Sequence, residues 1–111
     1  MTCARMFKFQ VLQGREADYA AYLRDVVTPI DEAAHRDDVF ETLVTVTPDE
    51  PGAWNHGRIF TFRDTAQRDA FAARMAACTG TFDGSAEATA SRKAFAETLR
   101  RQVAVSDYSL S

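Results

Sequence analysis

The sequence predicts an α+β domain with the element order βαββαβ. Three observations carry this. Apolar residues alternate with period two in three stretches, which is the pattern of strands. Between and after them the apolar spacing changes to three and four, the pattern of helices. Polar, Gly- or Pro-containing breaks fall where the period changes. The length, 111 residues, suits a single domain spanning 1–111.

Ala4 to Leu12 reads as the first strand, with Phe7, Phe9 and Val11 on one face and Met6, Lys8, Gln10 and Leu12 on the other. Gly14 ends it. From Arg15, the residues Tyr19, Tyr22, Leu23, Val26, Val27 and Ile30 form one helical stripe. Pro29 cannot sit deep in a regular helix without removing a hydrogen bond. The expectation is a main helix to about Val27, then a kink or a short second helix through His35, with Thr28 and Asp31 as a weak capping box.

Arg36-Asp37-Asp38 is a polar turn. Val39 to Thr47 is the second strand, with Phe40, Val44 and Val46 sharing a face opposite Val39 and Leu43. After the loop Pro48–Gly52, Trp54 to Arg63 forms the third strand and closes an antiparallel hairpin. Trp54, His56, Arg58, Phe60 and Phe62 are expected on one face, and Asn55, Gly57, Ile59, Thr61 and Arg63 on the other.

Asp64-Thr65 is a good helix start, followed by the stripe Phe71, Met75 and Cys78. Thr79 to Ser85, with two glycines, reads as an interruption. A further helix is expected over Ala86 to Gln102, with Ala88, Phe95, Leu99 and Val103 in phase, before a closing strand from Val103 to Leu110. The segment 79–102 is either a lid or added core.

Composition narrows the function classes. Hydrophobic residues make up 46% and charged residues 26%, an ordinary globular balance rather than a disordered one. The net charge of −3, with acids and bases interleaved, argues against nucleic acid as a partner. Arg92, Lys93, Arg100 and Arg101 are the one local basic patch, expected as a solvated helix face. Cys3 and Cys78 have neither metal-site nor disulfide-framework spacing, and Cys78 is expected as a buried thiol. No stretch resembles a secretion signal or approaches the roughly 20 apolar residues of a membrane span, so a cytoplasmic protein with no membrane partner is expected. No His, Cys, Asp and Glu set has metal spacing, and no nucleophile elbow or phosphate loop is present.

Four strands and two main helices in this order give one antiparallel sheet with the helices on a single face. The other face should then alternate cleanly between apolar and polar, and it does not: Met6, Leu12 and Ile59 oppose Phe7, Phe9 and Phe60. Each large apolar side chain left in water forgoes about 1.5–3 kcal/mol, so a homodimer covering that face is expected.

This pattern resembles the dimeric α+β-barrel superfamily, in which ferredoxin-like subunits pair their sheets. The likeness runs from Met6 to Leu110. It rests on the element order, on the first strand ending at Gly14 before Glu16 and the Tyr19/Tyr22/Leu23 helix, and on the stretch Ile59–Phe71. The resemblance implies a cavity for a mostly apolar small molecule. It also implies chemistry among that of cofactor-independent monooxygenases, isomerases, cyclases and haem-degrading enzymes. The chain departs from haem-degrading members, which pair a first-strand Asn with a Trp and a helical His. Here the first strand carries Lys8 and Gln10, and the helix after the third strand has no His.

His56 and Arg58 are the candidate catalytic residues. The first can act as acid or base near neutral pH, and the second can grip a carboxylate, phenolate or enolate. Trp54 and Phe60 are candidate ligand contacts on the same face. The alternative is that His56 and Arg58 face solvent at the strand end. Lys8 and Gln10 either meet a ligand or make polar contacts between subunits. Tyr22, like Tyr19, either offers a phenol to the pocket or is core.

The leading reading is an enzyme without metal or organic cofactor acting on a small aromatic or polyketide-like ligand by monooxygenase, isomerase or cyclase chemistry. The alternatives are a non-catalytic binding or accessory protein and a protein-interaction module.

Overall fold

A computed structural model describes residues 2–111. Strand β1 (Cys3–Val11) is the inner strand between β3 (His56–Phe62) and β4 (Arg100–Ser109), and β2 (Thr42–Val46) lies outside β3. The order is β2-β3-β1-β4, and every neighbouring pair is antiparallel. The helical elements are α1 (Glu16–Tyr22), a π-helical turn (Leu23–Val27), α2 (Thr28–Arg36), α3 (Thr65–Asp83) and α4 (Ala86–Glu97).

Register assigns the faces. Cys3 stands opposite Phe62, Arg5 opposite Phe60, Phe7 opposite Arg58 and Phe9 opposite His56. Directly opposed residues share a face, and this is the face the helices cover. Phe60, Phe62, Phe71 and Phe40 form its centre, with ring centroids 4.8 Å apart for Phe60–Phe71 and 5.0 Å for Phe40–Phe60. A second cluster of Val11, Tyr19, Tyr22, Val27 and Leu99 lies at the α1 end. The other face has no helix on it. Val44 is 51% exposed and Tyr108 46% exposed there, beside Met6, Lys8, Gln10 and Ile59.

The expected second helix is there: a π turn follows α1 through Val27, and α2 starts at Thr28 with Pro29 in its first turn. Thr28 makes no capping bond, so the expected capping box is absent. The buried positions step from Tyr19 and Tyr22 by five to Val27, then to Ile30 and Ala34. That five-residue step is the wide turn itself.

The second strand begins at Thr42, later than expected. Val39 and Phe40 are both buried, because they lie in the tight connection that follows Asp38, whose φ is +63°. Asp64 caps α3, accepting from the backbone N–H of Gln67 at 2.8 Å. The expected break over Thr79–Ser85 is not there: α3 passes through Gly80 and ends at Gly84, whose φ of +84° is the left-handed helix stop that glycine permits.

Ser85 caps α4, which ends at Glu97 rather than Gln102. Leu99 is therefore not helical. It is fully buried ahead of β4. Strand β4 starts three residues earlier than expected and contains a bulge. Lys8 faces Ala104 while Phe9 faces Gln102, leaving Val103 as the extra residue. The bulge resets the alternation, so Val105, Gln102 and Arg100 all lie on the helix-covered face, opposite Phe7, Phe9 and Val11.

Candidate functional site

An acid on a buried helix stripe and an arginine on a buried strand face each need a partner of opposite charge. In this fold they find each other. The π turn carries Asp31 toward the sheet, where Arg58 Nη2 donates to both of its carboxylate oxygens at 2.7 Å. The two side chains are only 8% and 13% exposed. Burial pushes the Asp31 carboxyl above its usual range, outweighing the pull of Arg58 in the opposite direction. The Arg58 guanidinium also lies 5.1 Å from the centre of the Phe60 ring. A solvent-facing Arg58 is thereby excluded.

His56 opens β3 and is fixed from the preceding residue. The Asn55 side chain accepts from Val11 N–H at 2.7 Å and donates to Val11 C=O at 3.2 Å, while Asn55 N–H donates to Phe9 C=O. This false rung extends the β1–β3 ladder by one step. The imidazole then rests edge-on to Tyr19 at 5.4 Å and 6.3 Å from Phe9. Its Nε2 is buried and has no hydrogen-bond partner among the described residues. Burial lowers the His56 pKa, and the positive charges of Arg58 and Arg100 lower it further. These influences favour the neutral imidazole, which holds an unused nitrogen under the positive potential of Arg58 and Arg100.

Not all the expected residues join this group. Trp54, expected beside His56, is on the opposite face. Lys8 Nζ stands 5.3 Å from the Trp54 ring centre, and a Cβ built on Gly57 comes within 3.0 Å of the indole. The chain turns over at Asn55, so strand alternation does not reach back to residue 54. Lys8 and Gln10 share that open face, and Gln10 Oε1 is buried without a partner among the described residues. His56, Arg58, Phe60 and Tyr22 lie on the helix side.

Sequence reasoning missed four contributors. Asp31 was assigned to a cap, although an acid in phase with Val27 and Ala34 was a usable signal. Arg92 and Arg100 were read as a solvated helix face. Instead, Arg92 donates to Asp83 at 3.0 Å and to the Tyr22 hydroxyl at 3.1 Å. Arg100 is on β4, with its guanidinium carbon 4.0 Å from the Phe9 ring centre and Nη1 donating to the Tyr19 hydroxyl at 2.9 Å. Asp83, the fourth, gave no signal. Cys78, expected buried, is only partly so, with its thiol 3.8 Å from Asp37 Oδ2.

Arg58 borders three spaces. One, of about 740 Å³, lies between α1–α2 and β2–β3 and is lined by Asp31, His56 and Leu43. A second, of about 590 Å³, lies between α3 and strands β1 and β4, walled by Phe7, Phe60, Phe71 and Met75 with Arg100 and Gln102. A third, of about 130 Å³, takes in Tyr22, Asp31, Arg92 and Arg100. Among the described residues no group of three or more His, Cys, Asp and Glu is placed to hold a metal, and no helix is long and apolar enough to cross a membrane.

Solved structures share this architecture at low identity. HapK from Hahella chejuensis superposes with a TM-score of 0.58 at 12% identity, over 98% of this chain and 92% of its own. A dimeric protein of unknown function and ferredoxin-like fold from Bacteroides fragilis gives 0.55 at 12%, over 98% and 96%. The chain has the ferredoxin-like α+β fold. A NIPSNAP-family protein of unknown function from Agrobacterium tumefaciens, at 0.60 and 16% over 96% and 83%, is another structure with this ferredoxin-like fold. No protein-family model and no curated protein matches the sequence.

Proposed function

We propose that this chain is a small-molecule enzyme whose reaction takes place in the space between helices and sheet, with His56 as the proton-transferring group and Arg58 as a neighbouring positive charge. One observation supports this above the rest: the buried Nε2 of His56 has no hydrogen-bond partner among the described residues, in a ring whose pKa burial lowers. Buried polar atoms in folded proteins are nearly all hydrogen-bonded, and each exception calls for a reason. A base held ready for a substrate proton is such a reason.

Aromatic walls with a few convergent polar groups are the usual form of a small-molecule site. Removal of a proton from an activated C–H or phenol would leave an enolate or phenolate. The neighbouring guanidinium groups would stabilise that charge. Such an intermediate is common to oxygenation, isomerisation and cyclisation of aromatic or polyketide-like compounds. The open sheet face, with Met6, Ile59, Val44 and Tyr108, fits a second copy of the chain packed against it.

Native mass spectrometry of freshly purified protein is the test. A dimer that retains a small aromatic compound, released on denaturation and turned over by the wild type but not by His56→Ala, is the expected result. Turnover undiminished in a folded His56→Ala protein removes His56 from the chemistry. Retention of a ligand that the wild type never converts leaves a binding protein. A monomer leaves the open face to some other partner.

A further inference from the structure

Four guanidinium groups border the 590 Å³ and 130 Å³ spaces. Three have a carboxylate within salt-bridge distance: Arg5 with Asp107 at 2.8 Å, Arg58 with Asp31 at 2.7 Å, and Arg92 with Asp83 at 3.0 Å. Arg100 has none among the described residues. Its one side-chain hydrogen bond there goes to the Tyr19 hydroxyl, and its remaining donors have no acceptor among the described residues. The group lies flat enough on Phe9 to sit 4.0 Å from the ring centre. It borders both the 590 Å³ aromatic space and the narrow 130 Å³ space next to Arg58 and Asp31.

We propose that Arg100 is the anion-holding residue of this cavity, and that the ligand is a planar aromatic monoanion, a carboxylate, phenolate or enolate on a one- or two-ring system. The proposal rests on the reading of the helix–sheet space as a small-molecule site and adds the charge and shape of what enters it.

A half-buried guanidinium is weakly hydrated and offers a planar fork of donors. Asp31 attracts both Arg58 and Arg100, but its carboxylate is bound by Arg58 at 2.7 Å, so the two guanidinium groups share one negative charge and the cluster keeps a net positive charge. An incoming oxyanion completes that balance through charge-assisted hydrogen bonds. Phe7, Phe60, Phe71 and Met75 supply the walls for the rings. A volume of about 590 Å³ suits a two-ring molecule within the usual range for such pockets. The Arg100 guanidinium and the His56 ring share Phe9 and Tyr19 as neighbours, but they line different spaces, His56 the 740 Å³ one and Arg100 the 590 Å³ one, with Arg58 bordering both. A monoanion matches the one guanidinium of these four that has no carboxylate within salt-bridge distance among the described residues.

Calorimetric titration of the full chain with 2-naphthoate and with its neutral isostere 2-naphthamide decides the matter. The acid should bind about tenfold more tightly, the return expected of a charge-assisted contact in a partly buried site. Arg100→Gln should bring acid and amide to equal affinity. Arg92→Gln, which removes a guanidinium already matched by Asp83, should keep the preference for the acid.

Equal affinities in the wild type would overturn the assignment and reduce Arg100 to a cover over Phe9, leaving the cavity itself as a site. Binding of neither compound would overturn both. A preference that survives Arg100→Gln would place the anion elsewhere. Should Arg100→Gln fail to fold, the Arg100 Nε–Hε resonance of the wild type carries the decision. It should move with naphthoate and stay still with naphthamide, and no movement with either overturns the proposal.

Discussion

On its helix-covered face, β3 presents Arg58, sealed under α2 and held by Asp31, and Phe60 at the centre of a cluster of aromatic rings. On the opposite face the same strand presents Gly57, seated under Met6, Val46 and Trp54, and the half-buried Ile59. One side keeps its charges in fixed pairs with deep burial. The other keeps apolar side chains in partial contact with water. Burial in itself therefore does not separate a site from a scaffold. What marks the covered face is polar groups whose partners are fixed by geometry, together with the two cavity-side groups, His56 and Arg100, left unmatched.

Breaking the ion pair should have the largest effect. Asp31→Ala leaves a buried guanidinium that cannot shed its charge, and a loss of about 3–5 kcal/mol is expected in urea denaturation. Arg58→Met should cost less, because the Asp31 carboxyl, whose pKa burial already raises, can neutralise itself by taking up a proton. The double replacement Asp31→Leu with Arg58→Met should recover most of the loss. Equal losses from the two single variants would show that the pair is not set in a desolvated environment.

The open face should respond less. Gly57→Ala puts a Cβ 2.8 Å from Met6 Cε and Val46 Cγ2 and 3.0 Å from Trp54, an overpacking worth about 1–3 kcal/mol. The fluorescence of Trp54 should change with it. The sole tryptophan reports on this face and not on the cavity, so an aromatic ligand that strongly quenches it would contradict the separation of the two faces.

His56 gives a smaller effect with a definite sign. Its folded pKa lies below the ordinary histidine value of 6.5, so the folded chain binds fewer protons than the unfolded one. The stability tied to His56 is fully present above pH 6.5 and is lost as the pH falls through the folded pKa. His56→Gln should flatten that slope, and the imidazole signal in NMR should titrate with a midpoint below 6.5. Asp31 acts in the opposite sense: its raised folded pKa favours the folded state below about pH 3.8 and ceases to do so as the pH rises through the folded value.

The smallest effect is at the helix caps. Asp64→Ala should cost about 1 kcal/mol. Ser85→Ala should register less in global unfolding, because no residue of α4 is buried. Hydrogen exchange should show α4 opening before the rest.

The fold was legible because strand alternation and helical spacing are local signals, and both survive in Phe7/Phe9, Phe60/Phe62 and Tyr19/Tyr22. The site was half legible. His56, Arg58 and Phe60 share a face by simple alternation, and the register preserves it. Trp54 was misplaced because the Asn55 rung turns the chain over, a contact to Val11 that lies 44 residues away in sequence. Arg100 was misplaced because Phe95 and Leu99 keep helical spacing beyond the point where α4 stops. Only tertiary burial of Leu99 ends that pattern.

The extra residue at Val103 makes the identity of the inward cation a matter of counting. With it, Arg100 pairs with Val11 and faces the cavity, while Arg101 pairs with Gln10 and faces away. Iron the bulge out at constant chain length, so that Val103 pairs with Phe9, and the parity inverts: Arg101 comes to stand opposite Val11. Deleting Val103 instead removes only the unpaired residue and leaves Arg100 opposite Val11. The bulge in β4 thus acts as a selector of charge position between two adjacent arginines.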